Sequence, residues 1–85
     1  MKTRKLNWRT ISSDIAEARE ELENLEQAVK SGELPSEAEF QTRLQHAYHH
    51  LNFAWNARHK TTKRYASLTD ADFRAWGKYP KDIES

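Results

Sequence analysis

Three histidines within five residues, in the segment His46-Ala47-Tyr48-His49-His50, are the one cluster whose side chains suit metal or proton chemistry. Residues four apart lie one above the other on a helix, so His46 and His50 share a face and His49 points elsewhere. Two imidazoles at this spacing can contact one metal ion. A third ligand would have to come from an acid of another helix or from a second copy.

No other pattern in the chain supports a metal site. The sequence has no cysteine, and it contains neither a Glu-x-x-His nor a His-Glu-x-x-His motif. We therefore expect no metal and no other cofactor, and His46 and His50 are the residues that would bind a metal if one were present. Ordinary surface and interface histidines are commoner than metal ligands, and a contact between proteins that responds to pH is favoured over a metal site because imidazole titrates near neutrality.

A basic segment beside Tyr65 is the candidate for nucleic-acid binding. Four positive charges within seven residues could neutralise several phosphates, and they belong to Arg58, Lys60, Lys63 and Arg64. The sequence pI of about 8.1 is lower than that of dedicated nucleic-acid binders, and no helix-turn-helix or RNA-binding signature is present. The other interpretation is a solvated helix end, so nucleic-acid binding is the alternative function and not the main one.

The sequence gives little support to catalysis. Gly32 and Gly77 are the only glycines, so no glycine-rich loop can hold a phosphate. No cysteine nucleophile is present, and no serine stands in a nucleophile motif. We therefore expect no enzymatic activity and name no catalytic residue.

Two apolar stripes define the elements that must position these groups. The first has steps of four and three residues, typical of one face of a helix, and consists of Ile11, Ile15, Ala18, Leu22, Leu25 and Val29. The second consists of Phe40, Leu44, Ala47, Leu51, Ala54 and Trp55. Two such stripes joined by a short turn predict an all-α fold, an antiparallel two-helix hairpin with a short C-terminal third helix.

Capping residues predict where each helix begins and ends within a single domain, residues 1–85. Helix 1 is expected over 12–31 and ends at Gly32, the usual left-handed cap. Ser36 and Thr69 each stand three residues before an acid, which is the pattern of a capping box. Helix 2 is therefore expected over 36–65 and helix 3 over 69–76, with an N-terminal arm at 1–10 and a tail at 77–85.

The predicted core lies between the two long helices. If the hairpin turns near residues 33–35, five large side chains should be buried there, namely Leu22, Leu25, Leu44, Leu51 and Trp55. A short third helix cannot cover both stripes, and isolated helical hairpins of this size are marginally stable. We therefore predict that two copies complete a four-helix bundle as a homodimer.

Phe53 indicates where the two copies would meet. On a helical wheel it lies roughly 140° from Phe40, outside the apolar stripe. The candidate interface residues are this phenylalanine, its neighbours on that face and the aromatic C-terminal segment: His46, His50, Phe53, Ala57, Phe73, Trp76 and Tyr79. An exposed aromatic can also be an ordinary surface residue, and that alternative is left open.

Charge and hydropathy complete the functional expectation. Residues 14–39 hold nine acids and two bases, whereas residues 40–81 hold eight bases and two acids, which favours antiparallel pairing of the two helices. No apolar run is long enough for a membrane span, and no signal peptide is evident, so we expect a cytoplasmic protein without a membrane partner. The predicted function is a small adaptor or interaction protein that acts through an apolar helical surface.

Overall fold

A computed structural model describes residues 5–83, and the regular structure in this range is helical throughout. Four helices follow one another: α1 (Trp8–Ser31), α2 (Glu37–Asn56), α3 (Thr62–Ala66) and α4 (Asp70–Trp76). The two long helices, α1 and α2, pack against each other along their length. The predicted all-α helical hairpin is therefore confirmed.

The beginning of α1 lies four residues before its predicted position. Asn7 is the N-cap, and its side-chain oxygen accepts a hydrogen bond from the Thr10 N–H at 3.3 Å. Asn7 is also bonded to the link after α2, because its N–H donates to the Arg58 carbonyl at 2.7 Å and its side-chain amide donates to the Lys60 carbonyl at 2.9 Å. These distant partners select Asn7 as the N-cap over Thr10, Ser12 and Ser13, the capping residues nearest to the predicted start. The predicted arm is thus partly helical, and residues 1–4 lie outside the described range.

The turn between the long helices agrees with its sequence signals. α1 ends at Gly32, which has φ 82° in the left-handed region and donates its N–H to the Val29 carbonyl at 3.2 Å. The Ser36 hydroxyl then caps α2 by accepting from the Glu39 N–H at 3.2 Å.

The prediction of one helix over 36–65 is wrong, because α2 ends at Asn56. The next residues form turns, and Thr61 starts the separate helix α3 by accepting from the Arg64 N–H at 3.1 Å. The carbonyls of Arg58 and Lys60, which a continuous helix would use internally, are bonded to Asn7 instead. Tertiary hydrogen bonds and a new cap therefore end the helix where no glycine or proline does.

The predicted third helix is present as α4. Its N-cap Thr69 accepts from the Asp72 N–H at 3.2 Å, and the Asp72 carboxylate accepts from the Thr69 N–H at 2.9 Å. This reciprocal capping box confirms the interpretation of the sequence Thr69-Asp70-Ala71-Asp72.

The core between α1 and α2 is narrower than predicted. Leu25 is buried as expected, and Leu44 and Trp55 are partly buried, but Leu22 is 45% exposed and Leu51 is 44% exposed. A helix in a two-helix hairpin buries only the side that faces its neighbour, so part of each stripe stays in solvent. The apolar residues of α1 and α2 that are buried along this contact are two large and two small ones: Ile11, Leu25, Ala18 and Ala47.

A second cluster lies between α2 and the short helices α3 and α4. Phe53, Ala57 and Trp76 are its buried members, and Tyr65 and Leu68 pack against them. The Phe53 and Trp76 rings meet edge to face with centroids 6.0 Å apart. The expectation that Phe53, Ala57 and Trp76 present an exposed interface is therefore wrong, because the two short helices cover them.

Candidate functional site

A chain of hydrogen-bonded polar side chains crosses from α1 to α2 and α3. It starts at Asp14, which lies on the apolar side of α1 and is only 4% exposed. The Tyr65 hydroxyl lies 2.9 and 3.1 Å from the two carboxylate oxygens of Asp14. His50 Nδ1 lies 3.1 Å from one of the same oxygens. Three helices thus converge on one buried carboxylate.

The chain continues through the second histidine to the protein surface. The Nε2 atoms of His50 and His46 lie 3.2 Å apart, and His46 Nδ1 lies 3.0 Å from a Glu21 carboxylate oxygen. The Arg43 guanidinium lies 3.6 Å from the other oxygen of Glu21. Each histidine is therefore held between a carboxylate of α1 and the other histidine.

The surroundings shift the acid–base behaviour of two neighbouring groups. Burial raises the pKa of the Tyr65 hydroxyl, and the adjacent Asp14 carboxylate raises it further, so Tyr65 stays a hydrogen-bond donor. Burial lowers the pKa of His49, and the nearby His50 and His46 lower it further. The His49 ring packs between Phe53 and Phe73, with centroids 4.4 and 4.5 Å away. His49 therefore belongs to the aromatic packing under α4.

The other predicted site residues have different positions. Phe73 and Tyr79 are exposed, at 50% and 72%, so they remain available for contacts. His46 and His50 face the acids of α1 and belong to the polar chain described above. The predicted interface set is thus divided among two surface aromatics, a polar network and a buried cluster.

The segment after α4 crosses the end of α2. The Asn52 side-chain amide donates to the Gly77 carbonyl at 2.9 Å, and the Asn56 amide donates to the carbonyls of Trp76 and Lys78, both at 2.8 Å. The Trp55 indole N–H then donates to the Asp82 carboxylate at 2.9 Å. These bonds bring the segment to the same side of α2 as Trp55.

The basic segment is partly engaged within the protein. Arg58 stacks on Trp55 at 3.9 Å and pairs with Asp82 at 3.1 Å. Arg64 pairs with Asp72 at 2.6 Å. Lys60 and Lys63 are exposed. Nucleic-acid binding through Arg58, Lys60, Lys63 and Arg64 stays a prediction, and the two arginine pairs do not favour it.

An exposed apolar face covers one side of the hairpin, and it is the feature that the predicted interface missed. On α1 it consists of a row with a strict seven-residue spacing: Trp8, Ile15, Leu22 and Val29. On α2 it consists of the exposed Tyr48 and Leu51 and the partly buried Leu44 and Trp55. Near the start of α1 the two parts border one groove of about 330 Å³, which Leu6 and Ile83 also line. These residues are called the apolar face below.

Two signals in the sequence could have identified the apolar face and the polar partners of Asp14. The seven-residue row was included in the predicted α1 stripe, but its members were assigned to the core together with the alternate row Ile11, Ala18 and Leu25. A two-helix hairpin has room to bury only one of two such rows. Asp14 interrupts the apolar side of α1, and a carboxylate there predicts polar partners from another helix.

No family model, no curated protein and no solved structure matches the chain. Among the residues that the structure describes, no helix is long and apolar enough to cross a membrane.

Proposed function

We propose that this protein is a non-catalytic interaction protein that pairs with a second copy of itself through the apolar face. Two α1–α2 hairpins would then form a four-helix bundle, which is the common way to cover such a surface. The proposal keeps the predicted homodimer but moves its interface to the opposite side of α2.

The seven-residue row on α1 is the observation that carries the proposal. Its four side chains are between 45% and 65% exposed, while the alternate row Ile11, Ala18 and Leu25 is buried against α2. Such paired rows are the pattern of a helix that packs against others along its whole length. Because one row already contacts α2, the exposed row is left for a further helix.

The shape of the row suits a second copy. A two-fold axis near the middle of the row would place Trp8 opposite Val29 of the other copy, and Ile15 opposite Leu22. The largest side chain then faces the smallest, so four layers of similar volume form. Every layer contains one residue from either copy, which is the self-complementarity that a two-fold interface requires.

The surroundings of the apolar face do not oppose association. On α1, Arg19 pairs with Glu23 at 3.6 Å and Lys30 pairs with Glu26 at 3.7 Å, so charges near the row are balanced within the helix. On α2, Leu51 and Phe53 are two residues apart and thus point to nearly opposite sides. The short helices that cover Phe53 therefore leave the apolar face open.

Sedimentation equilibrium tests the proposal with Leu22→Glu. At a protein concentration of about 100 μM, where even a micromolar dimer is well populated, the wild type should have twice the 10.0 kDa chain mass. Leu22→Glu should sediment as a monomer, because a carboxylate buried without a partner at the centre of the interface is costly. Circular dichroism should show that its helices remain, since Leu22 is half-exposed in the single chain.

Leu34→Glu is the matched control, because it makes the same chemical change in the turn, where Leu34 is 71% exposed. This variant should remain a dimer. A monomeric wild type at this concentration, or a dimer that is equally stable with Leu22→Glu, would show that the apolar face does not pair with itself.

A further inference from the structure

We propose that His46 and His50 form a binding site for a divalent transition-metal cation of the zinc type. The site lies on the polar side of α2, away from the apolar face, so it does not depend on the proposed dimer. The sequence alone favours no metal here, and the positions of four ring nitrogens change that interpretation.

The two Nε2 atoms converge at the distance that one cation requires. They lie 3.2 Å apart. Zinc binds imidazole nitrogen at about 2.0–2.1 Å, so two histidines on one tetrahedral ion have their nitrogens about 3.3 Å apart. The observed separation is therefore close to that of two histidine ligands on one tetrahedral ion.

The Nδ1 atoms support the same assignment. His50 Nδ1 lies 3.1 Å from Asp14, and His46 Nδ1 lies 3.0 Å from Glu21. A carboxylate accepts a hydrogen bond, so we place the ring hydrogen of each histidine on Nδ1, which leaves the two Nε2 atoms as the nitrogens that can bind a cation. Two neighbouring unprotonated Nε2 atoms repel each other unless they share a hydrogen or both bind one cation, which would lie to the side of the line that joins them. Carboxylates behind metal-bound histidines orient the rings and raise the basicity of the ligands in the same way.

The pair is accessible from solvent. The His46 side chain is 54% exposed, whereas the His50 side chain is 21% exposed and anchored to Asp14. An open groove beside the rings is lined by Thr42, Gln45, His46, His49, His50 and Phe73. A hydrated cation can thus reach the Nε2 atoms from this groove and keep water in its remaining positions.

The ligand set defines the class of ion. Imidazole nitrogens suit zinc, copper and nickel, whereas calcium and magnesium prefer oxygen ligands. Within residues 5–83 no group of three or more histidine, cysteine, aspartate or glutamate residues converges on one point. The site is therefore a two-histidine site, with weaker binding than a closed structural zinc site.

Calorimetric titration of zinc chloride into tag-free protein tests the proposal. The wild type should bind one zinc ion per chain, and zinc should raise the melting temperature because it binds the folded state. His46→Asn should weaken binding by at least about tenfold, since one of two ligands is lost. Glu21→Gln should weaken binding by about 10–100-fold while both ligand rings remain.

His59→Asn is the matched control, because it removes an imidazole outside the site, where His59 Nδ1 faces the Lys5 carbonyl. This variant should bind zinc like the wild type. The partly exposed His46 is the primary target, since replacing His50 removes a partner of the buried Asp14 and could unfold the chain. Leu22→Glu should retain zinc binding, which separates this test from that of the dimer.

Nuclear magnetic resonance of the imidazole rings gives the deciding assignment. Zinc should shift the ring signals of His46 and His50 and leave those of His59 unchanged. The proposal is wrong if zinc at about 1 mM leaves the signals of those two rings unshifted, because this concentration exceeds the dissociation constant of any site that would be occupied at lower zinc. It is equally wrong if His46→Asn binds zinc as tightly as the wild type.

Discussion

At the scale of single residues, Asp14 shows how a polar group determines the packing around it. A buried carboxylate without partners would be strongly destabilising, and here it accepts hydrogen bonds from Tyr65 and His50. The sequence shows only that Asp14 interrupts the apolar side of α1. Its true partners are 36 and 51 residues away in the chain, so no local pattern could identify them.

Asp72 is a single residue with a pH-dependent role. Hydrogen bonds from Thr69 and then from Arg64 hold the pKa of its carboxyl below the usual value. A carboxyl with a lowered pKa in the folded state stabilises the fold above its unfolded pKa, near pH 4, and loses that contribution as the pH falls through the folded pKa. The wild type should therefore lose more stability than Asp72→Asn between pH 7 and about pH 3.

Thermal melts followed by circular dichroism measure this difference, since Asp72 caps the first turn of the helix α4. Asp70→Asn is the control, because it removes a charge from the same helix turn without disturbing the capping box. If Asp72→Asn and Asp70→Asn have the same pH dependence, the capping role of Asp72 is not the cause.

At the scale of the elements, two helices end in glycine for different physical reasons. Gly32 has a positive φ of 82° and open space around it. Gly77 has an ordinary φ of −81°, but a Cβ there would lie 2.6 Å from His49 Cε1 and 2.8 Å from His49 Nδ1. Backbone conformation selects the first glycine, and the ring packed over α4 selects the second.

Substitution at both glycines should separate these causes. Gly32→Ala should cost about 1–2 kcal/mol through left-handed strain, and Gly32→Asn should cost less, because asparagine tolerates that conformation. Gly77→Ala should cost about 1–3 kcal/mol through overpacking against the His49 ring. The Gly77→Ala cost should largely disappear in a His49→Ala background, whereas the Gly32→Ala cost should be unchanged there.

Urea unfolding of the single and double variants provides these free energies. An equal cost of Gly77→Ala with and without the His49 ring would contradict the steric explanation.

The elements also show what the sequence can and cannot predict. Helix periodicity and the caps at Gly32, Ser36 and Thr69 are local, and they located three of the helix ends correctly. The end of α2 at Asn56 depends on Asn7, whose side chain is bonded to the Lys60 carbonyl 53 residues further along the chain. A boundary that is set by tertiary hydrogen bonds leaves no mark on the local periodicity.

At the scale of the whole molecule, the sequence predicted that apolar surface would exceed what one chain can bury, and the exposed Leu22 and Leu51 agree with this. It did not predict where that surface lies. Phe53 seemed to be outside the apolar stripe, and the wheel gave no sign that α3 and α4 cover it. The His46–His50 pair was identified from its spacing. The carboxylates that contact it belong to Glu21 and Asp14, and only the packing of α1 against α2 shows that they lie beside the two rings.

The uneven distribution of buried groups along the hairpin has a dynamic consequence. The bonds of Asp14 to Tyr65 and His50, the Asn7 bonds and the Phe53 cluster all lie toward the α1 start, whereas near the turn Val29, Leu34 and Phe40 are between 46% and 71% exposed. Local unfolding costs least where few contacts are buried, so the turn end should open while the other end stays closed. Amide hydrogens near Val29 and Phe40 should thus exchange with solvent deuterium faster than those near Ala18 and Phe53.

In an antiparallel pair the turn end of each copy lies against the well-anchored end of the other. Exchange near the turn should therefore slow as the protein is concentrated, and this protection should be absent in Leu22→Glu. Uniform exchange along α1 would contradict this view, in which each copy supports the weaker half of its partner.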